Sequence, residues 1–395
     1  MRIKRTIPPT AAPIPIRSFY CGIVAALSGQ KYINKLESEF KKYFGVKHVF
    51  FVSSGKAALT TILSSLKTVD DRREVVIPAY TCFSVPSAVI KSGLTVELCD
   101  IDINNFDFNY DFLEKKLSQK TLCVIPSNLF GIPSNVDKLR HICNENDIYL
   151  IEDAAQAMGC LYNKKPLGTI GEAGFFSLGR GKNITSGSGG VIVTNSDKIA
   201  SAIKSNLETI NPPGFIENVV DYIQFVILSI FIRPSLYWLP SGLPFLELGK
   251  TFYYKEFPVK KLSAMKAGLL RGWETNLEKS NNHRIEVARY YSKNSEISHP
   301  YLRYPVVLNS SIERDKVFKI SEKIGLGLSK MYPTTINKIE EIKDLFSGQD
   351  FPMANQLEEC LITLPTHHWL TKSDKDAISK LIEGIDDDSD NSGMS

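Results

Sequence analysis

From about residue 30 the chain alternates between two apolar rhythms. KYINKLESEFKKYFG carries its apolar residues three and four apart, the spacing of an amphipathic helix. VKHVFFVSSG reads as a strand that closes on small residues, and KAALTTILSSLK as the next helix. The alternation continues with REVVIPAYT as a strand, FSVPSAVIKSG as a helix, LTVELCDID as a strand and YDFLEKKLS as a helix. TLCVIPSN is then a strand, NVDKLRHICNEND a helix and IYLIEDAA a strand, and GEAGFFSL and GGVIVTN close the series. Apolar strands separated by helices of this length predict an α/β fold with a mostly parallel sheet covered on both faces. Such sheets bind ligands beyond the carboxyl ends of their strands.

After residue 200 the rhythm breaks. VVDYIQFVILSIFIRPSLYWLP, residues 219–240, is the most apolar stretch of the chain. Its uncharged run from Tyr222 to Ile232 is shorter than the roughly 20 apolar residues a bilayer span needs. It reads as a buried or subunit-interface helix, or as a helix lying on a membrane surface. VKKLSAMKAGLLRGWETNLEKSNNHRIEVARYYSK predicts one or two helices, and YLRYPVVL, LITLPTHHWL and SDKDAISKLIEGI a mixed segment. The predicted organisation is an N-terminal arm and large domain over residues 1–250, with an apolar insertion at 213–245. A smaller C-terminal α+β domain follows over 251–385, and the acidic DDDSDNSGMS at 386–395 is expected to be disordered. No internal repeat is visible.

Composition narrows the function. Hydrophobic residues are 43% and charged residues 23%, the balance of a soluble globular protein. The net charge of +4 is small, and no basic block interleaves with aromatics, so no nucleic-acid partner is expected. The seven cysteines form no CxxC pair and are odd in number, which excludes a disulfide framework and a zinc site and fits a reducing, cytoplasmic compartment. MRIKRTIPPTAAPIPIRSF begins with basic residues but lacks an unbroken apolar core. It predicts an extended arm, able to reach another subunit, rather than a signal peptide.

One strip carries chemistry. GRGKNITSGSGG, residues 179–190, sets Lys182 among glycines between two strands. It is no Walker A loop, because Asn183 follows Gly181-Lys182 and Phe176 stands five before Gly181, and it lacks GxGxxG. Taken alone it reads as a solvated loop lysine. Two other strand ends change that reading. FFVSSGKAAL runs a strand into Ser53-Ser54-Gly55 and straight into a helix, whose N-terminal N–H groups suit a phosphate, although a plain serine cap looks the same. IYLIEDAAQAMG ends a strand in Glu152-Asp153, so alternation turns one carboxylate toward a ligand and the other away; a helix-capping Asp is the plainer reading. Lysine, strand-end carboxylate and phosphate cradle together suit pyridoxal 5'-phosphate: a Schiff-base lysine, a partner for the ring nitrogen and an anion site.

The order SSGKAAL, VVIPAYTCFSVPSAVIKSG, DID, VIPSNLFGIPSNVDKL, IEDAAQAMG, GFFSLGRGKNITSGSGGVIVTN resembles the DegT/StrS-type (DegT/DnrJ-like) sugar aminotransferases. The likeness runs from about residue 10 to 385 and is densest from 50 to 195. It implies a fold-type-I pyridoxal-phosphate transferase with a mostly parallel seven-stranded sheet and a smaller C-terminal α+β domain. It implies that Lys182 is the catalytic lysine, that Asp153 pairs with the ring nitrogen and that Gln156 contacts the cofactor near its ring hydroxyl. Ser177, Ser54, Gly55 and Lys56 fall in the phosphate region, and Phe83 and Asn183 are further cofactor-binding candidates. The implied reaction moves an amino group, from glutamate as donor, to a keto carbon of a nucleotide-linked sugar, in a homodimer with shared active sites.

The chain departs from the family pattern in four places. An aromatic after PxxT usually stacks on the cofactor ring; here Cys82 follows Thr81, with Tyr80 and Phe83 on either side. The Asn-Tyr-Arg element that reaches the neighbouring subunit's cofactor is VKKLSAMKAG here, with Lys260 or Lys261 as its substitute. GEGG is replaced by GSGG, with Ser188 for the glutamate, and YPxPxH by YPTTIN from Tyr332 to Asn337. Two other functions remain open: a sugar dehydratase, in which the family carries a histidine in place of the lysine, and a non-catalytic regulator or scaffold on the same fold.

Overall fold

The computed structural model describes residues 5–243, 248–249 and 251–392. Its larger part is organised by a sheet of seven strands: β1 (His48–Val52), β2 (Glu74–Pro78), β3 (Thr95–Cys99), β4 (Thr121–Val124), β5 (Tyr149–Asp153), β8 (Ala173–Ser177) and β9 (Gly190–Thr194). The short hairpin β6 (Leu161–Tyr162) and β7 (Lys165–Pro166) stands apart from it. The spatial order is β1-β9-β8-β5-β4-β2-β3. Strands β3, β2, β4, β5 and β8 run parallel, while β9 is antiparallel to both β8 and β1.

Strand alternation fills both faces. Val75, Ile77, Leu98, Ile151, Phe175 and Ile192 point into one core, with Leu59, Ile62 and Leu63 of helix α3 (Gly55–Leu66). Val49, Phe51, Val76, Leu150, Phe176 and Val191 point into the other, with Leu36, Phe40 and Phe44 of α2 (Gln30–Phe44). The remaining helices of this part are α4 (Ser84–Lys91), α5 (Tyr110–Lys116), α6 (Val136–Glu145) and α7 (Asp197–Thr209). The predicted strands and helices thus fall where the periodicity put them, because burial on two faces needs continuous apolar runs.

The C-terminal part holds α11 (Trp273–Ser292), α12 (Ser311–Ile324), α13 (Pro352–Cys360) and α14 (Lys372–Ser392) around an antiparallel pair, β10 (Arg303–Val307) and β11 (Leu361–Pro365), while α10 (Ala264–Leu269) packs on the large part, where Ala267 joins the core with Leu36 and Phe40 of α2. Val287, Val317, Leu328, Ile362, Leu364 and Ile378 form the C-terminal part's own core. Residues Tyr332, Ile336, Phe346 and Leu357 instead join the core of the large sheet. Helix α14 continues over 386–392, part of the acidic segment whose composition predicts no structure; residues 393–395 lie outside the described residues.

The N-terminal arm packs on its own protomer. Thr10 Oγ1 donates to Gly181 O at 2.8 Å, Arg284 Nη2 to Ala11 O at 2.8 Å, and His367 Nε2 lies 2.8 Å from Pro8 O. The arm ends earlier than its prolines suggest: α1 (Ile16–Ser28) begins right after Pro15, which sits at the N-cap, where a missing N–H costs no helical hydrogen bond. The apolar insertion, described to residue 243, forms α8 (Phe215–Phe231) and the short α9 (Trp238–Ser241). Two ion pairs clamp α8 down: Glu217 with Lys260 at 2.5 Å and Asp221 with Lys266 at 2.6 Å.

Candidate active site

A cavity of about 220 Å³ opens beyond the carboxyl ends of β1, β5 and β8. A void of about 150 Å³ already holds benzene, so this one accommodates a substituted aromatic ring. Lys182, Asp153, Gln156, Ser177, Ser54, Gly55 and Lys56 all line it.

The phosphate end is built by the turn from β1 into α3. Ser54 is extended (φ −162, ψ 166) and its Oγ accepts the Ala57 N–H at 3.1 Å, so Gly55 starts the helix at the cavity wall. A Cβ on Gly55 would lie 3.0 Å from Ser177 Cβ and 3.2 Å from its Oγ. Glycine therefore lets the end of β8 close against the helix N-terminus, whose free N–H groups and dipole favour an anion. Lys56 supplies nearby charge, but its ammonium sits 4.5 Å from the Tyr254 ring centroid and 4.6 Å from that of Phe257. Burial lowers its pKa.

The two carboxylates at the end of β5 divide as alternation predicts. Glu152 points away and accepts N–H groups from Gly168, Ile170 and Gly171 at 2.8, 2.6 and 2.8 Å, which makes it a scaffold residue. Asp153 faces the cavity, and burial pushes its carboxyl up to about 6, against the opposing effects of the Ala155 N–H and Lys182. A protonated ring nitrogen beside it would supply the missing countercharge.

Lys182 follows Gly181, which adopts φ +70 and whose Cβ would collide with Thr10 Cγ2 at 2.2 Å. Burial lowers the Lys182 pKa, and among the described residues its ammonium has no hydrogen-bonded or ion-paired partner. A desolvated amine facing a carboxylate of raised pKa and a helix N-terminus has the donor set that a pyridoxal phosphate needs. The fit is thus carried by the residues present.

Two expected cofactor residues lie elsewhere. Phe83 is buried behind Tyr332, with ring centroids 6.3 Å apart, and does not line the cavity. The turn before α4 aims Cys82 and Ser84 at the cavity and leaves Phe83, the helix N-cap in αR conformation, facing the core. Asn183 points away from Lys182 and donates to Asn281 Oδ1 of α11 at 3.0 Å, anchoring the lysine loop. Tyr332, Ser127 and Asn128 line the cavity although the sequence reading gave none of them a part in cofactor binding. Tyr332 accepts a hydrogen bond from Gln156 Nε2 at 2.9 Å, while Gln156 Oε1 accepts the Phe130 N–H at 3.2 Å. The remaining departures also find their places. Ser188 accepts from Lys266 Nζ at 2.7 Å, and Lys260 is occupied within its own protomer by Glu217.

Residues 25–212 match the family model described as the DegT/DnrJ/EryC1/StrS aminotransferase family. Among characterised proteins, a GDP-perosamine synthase of Vibrio cholerae is 34% identical over 169 residues, 43% of this chain and 46% of that protein. The match therefore spans about half the length of such relatives. Among solved structures, Helicobacter pylori PseC, an aminotransferase involved in the biosynthesis of pseudoaminic acid, superposes with a TM-score of 0.77. It is 17% identical, and the match covers 96% of this chain and 99% of that one. An Escherichia coli GDP-4-keto-6-deoxy-D-mannose-3-dehydratase with bound hydrated PLP gives a TM-score of 0.74 at 19% identity, covering 96% and 99%. At these identities the two structures establish the fold, a seven-stranded mostly parallel sheet with a smaller C-terminal domain.

Proposed function

From the match of residues 25–212 to the DegT/DnrJ/EryC1/StrS aminotransferase family we propose that the chain is a pyridoxal-phosphate-dependent aminotransferase of that family, acting on a keto carbon of a nucleotide-linked sugar, with glutamate as donor. The observation that carries this reading is the convergence of Lys182, Asp153, Gln156 and the α3 N-terminus on one cavity.

Lys182 is the residue that would hold the cofactor covalently. Ser54, Gly55, Ser177 and the first N–H groups of α3 would receive its phosphate, and Asp153 its ring nitrogen. Bound there, pyridoxal phosphate supplies an electron sink for a carbanion beside the transferred nitrogen. Asp153 keeps a proton at the ring nitrogen by offering it a buried negative charge. The lowered pKa of Lys182 makes its Nζ a base that can take up a proton at one carbon and return it at another. Gln156, fixed by Phe130 and Tyr332, orients the polar edge of the cavity.

The lysine at 182 favours amination over dehydration, because the dehydrating branch of the family carries histidine there. Its retention beside Asp153 and Gln156 also disfavours a purely scaffolding role. A homodimer with shared sites belongs to the same reading, as does a cytoplasmic location; among the described residues no helix is long and apolar enough to cross a membrane.

The test is an absorption spectrum of the protein loaded with pyridoxal phosphate, with and without glutamate, beside Lys182→Ala. A visible band that glutamate bleaches and that the variant lacks supports cofactor, lysine and donor together. A screen of nucleotide-linked keto sugars then finds the acceptor. No lysine-dependent band after loading overturns the proposal.

A further inference from the structure

Helix α8 is apolar on the side turned away from the protein. Phe225 is its one fully buried residue, packed on Phe19 of α1 with ring centroids 5.5 Å apart. Ile216, Val220, Ile223, Ile227 and Ile230 recur at helical spacing on the opposite side and are 43–78% exposed. Helix α1 shows the same pattern: Ile16, Tyr20, Ile23 and Leu27 are 51–87% exposed. Tyr222 Oη donates to Phe19 O at 3.2 Å, so the two helices are neighbours. Exposed apolar helix faces of this kind mark an interaction surface.

Apart from two paired carboxylates, the charges of these two segments are basic. Both acidic residues of α8, Glu217 and Asp221, are paired with Lys260 and Lys266. No Asp or Glu occurs from residue 5 to residue 36. Arg17, Lys31, Lys35 and Arg233 are the exposed charges of these segments. Tyr20 is exposed and Trp238 half-buried, the two aromatic types that favour the boundary between hydrocarbon and water. A second copy docked here about a two-fold axis would set these cations against their own images, with only the already paired Glu217 and Asp221 as carboxylates of these segments. An anionic lipid surface offers the complementary charge and takes up the apolar stripes.

We propose that α1 and α8 together form a platform that seats the protein on the surface of an anionic membrane, with the helices lying in the interface rather than crossing it. The proposal is independent of the reaction. It supplies a role for the apolar insertion, of whose described hydrophobic residues only Phe225 is buried.

Flotation of the full chain with vesicles of phosphatidylglycerol and phosphatidylcholine, beside vesicles of phosphatidylcholine alone, tests it. Wild type floats with the anionic vesicles, and less so as salt is raised. Ile223→Glu with Ile227→Glu lowers partitioning by about a hundredfold, since two buried apolar side chains are lost. Ile16→Glu with Leu27→Glu on α1 does the same, which guards against a folding defect in one pair alone. Light scattering gives the same particle mass for all three proteins. Failure of wild type to float with anionic vesicles, or undiminished flotation of both variants, overturns the proposal. So does a fall in particle mass in the variants, which would show that a second copy covers these faces.

Discussion

Gln156 and Tyr332, 176 positions apart in the chain, meet at the cavity wall, with Gln156 Nε2 donating to Tyr332 Oη at 2.9 Å. Both are buried. Tyr332→Phe removes the acceptor and keeps the ring. We expect it to destabilise the apoprotein by about 1–3 kcal/mol, the cost of a buried donor left unpaired. Urea unfolding checks this. A double-mutant cycle with Gln156→Met should give a non-zero coupling, because the second loss no longer orphans a partner.

Asp153 carries a pH signature. Its folded-state pKa, about 6, lies above the usual 3.8, so the folded protein holds a proton that the unfolded chain releases. Its contribution is favourable below about pH 4 and is lost as pH rises through 6, by up to about 3 kcal/mol. Asp153→Asn in the apoprotein should therefore gain stability relative to wild type between pH 4 and 7, while losing cofactor affinity. Urea midpoints measured across that range would show a constant difference if the carboxyl were not perturbed.

Gly181 joins the lysine loop to the N-terminal arm. Alanine there meets both a left-handed backbone and Thr10 Cγ2 at 2.2 Å. Gly181→Ala should cost about 1–3 kcal/mol and free the arm, seen as faster proteolysis near residue 10.

The clamps on α8 differ in depth. The Lys266 side chain is only 8% exposed, whereas that of Lys260 is 34%. Asp221→Asn should cost about 3 kcal/mol by stranding a buried ammonium, and Glu217→Gln less than about 1 kcal/mol. Thermal unfolding of the two variants compares them directly; equal shifts would contradict the difference in burial.

Much of this site was legible in sequence because its parts sit at strand ends of strong apolar runs. Alternation divides Glu152 from Asp153 and the family resemblance selects Asp153, while Ser54-Gly55 follows from a strand that turns at once into a helix. Phe83 and Asn183 were misplaced for one reason: each neighbours a cavity residue, and a turn decides which of two adjacent side chains points inward. Tyr332 was visible only as the start of the altered YPxPxH element and not as a cavity residue, because its partners lie in a distant part of the chain. The α1 helix was missed because a proline-rich approach conceals a helix that starts immediately after its last proline.

The hooks of the N-terminal arm bear on the order of events at the ribosome. Arg5 pairs with Asp374, Pro8 O with His367, and Ala11 O with Arg284, across separations of 369, 359 and 273 residues. This segment thus finds its partners only after 273 to 369 further residues have been synthesised. Long loops close slowly, and the half-made chain holds its sheet without this fastening. Such a nascent chain is a natural client for a holding chaperone until the arm locks.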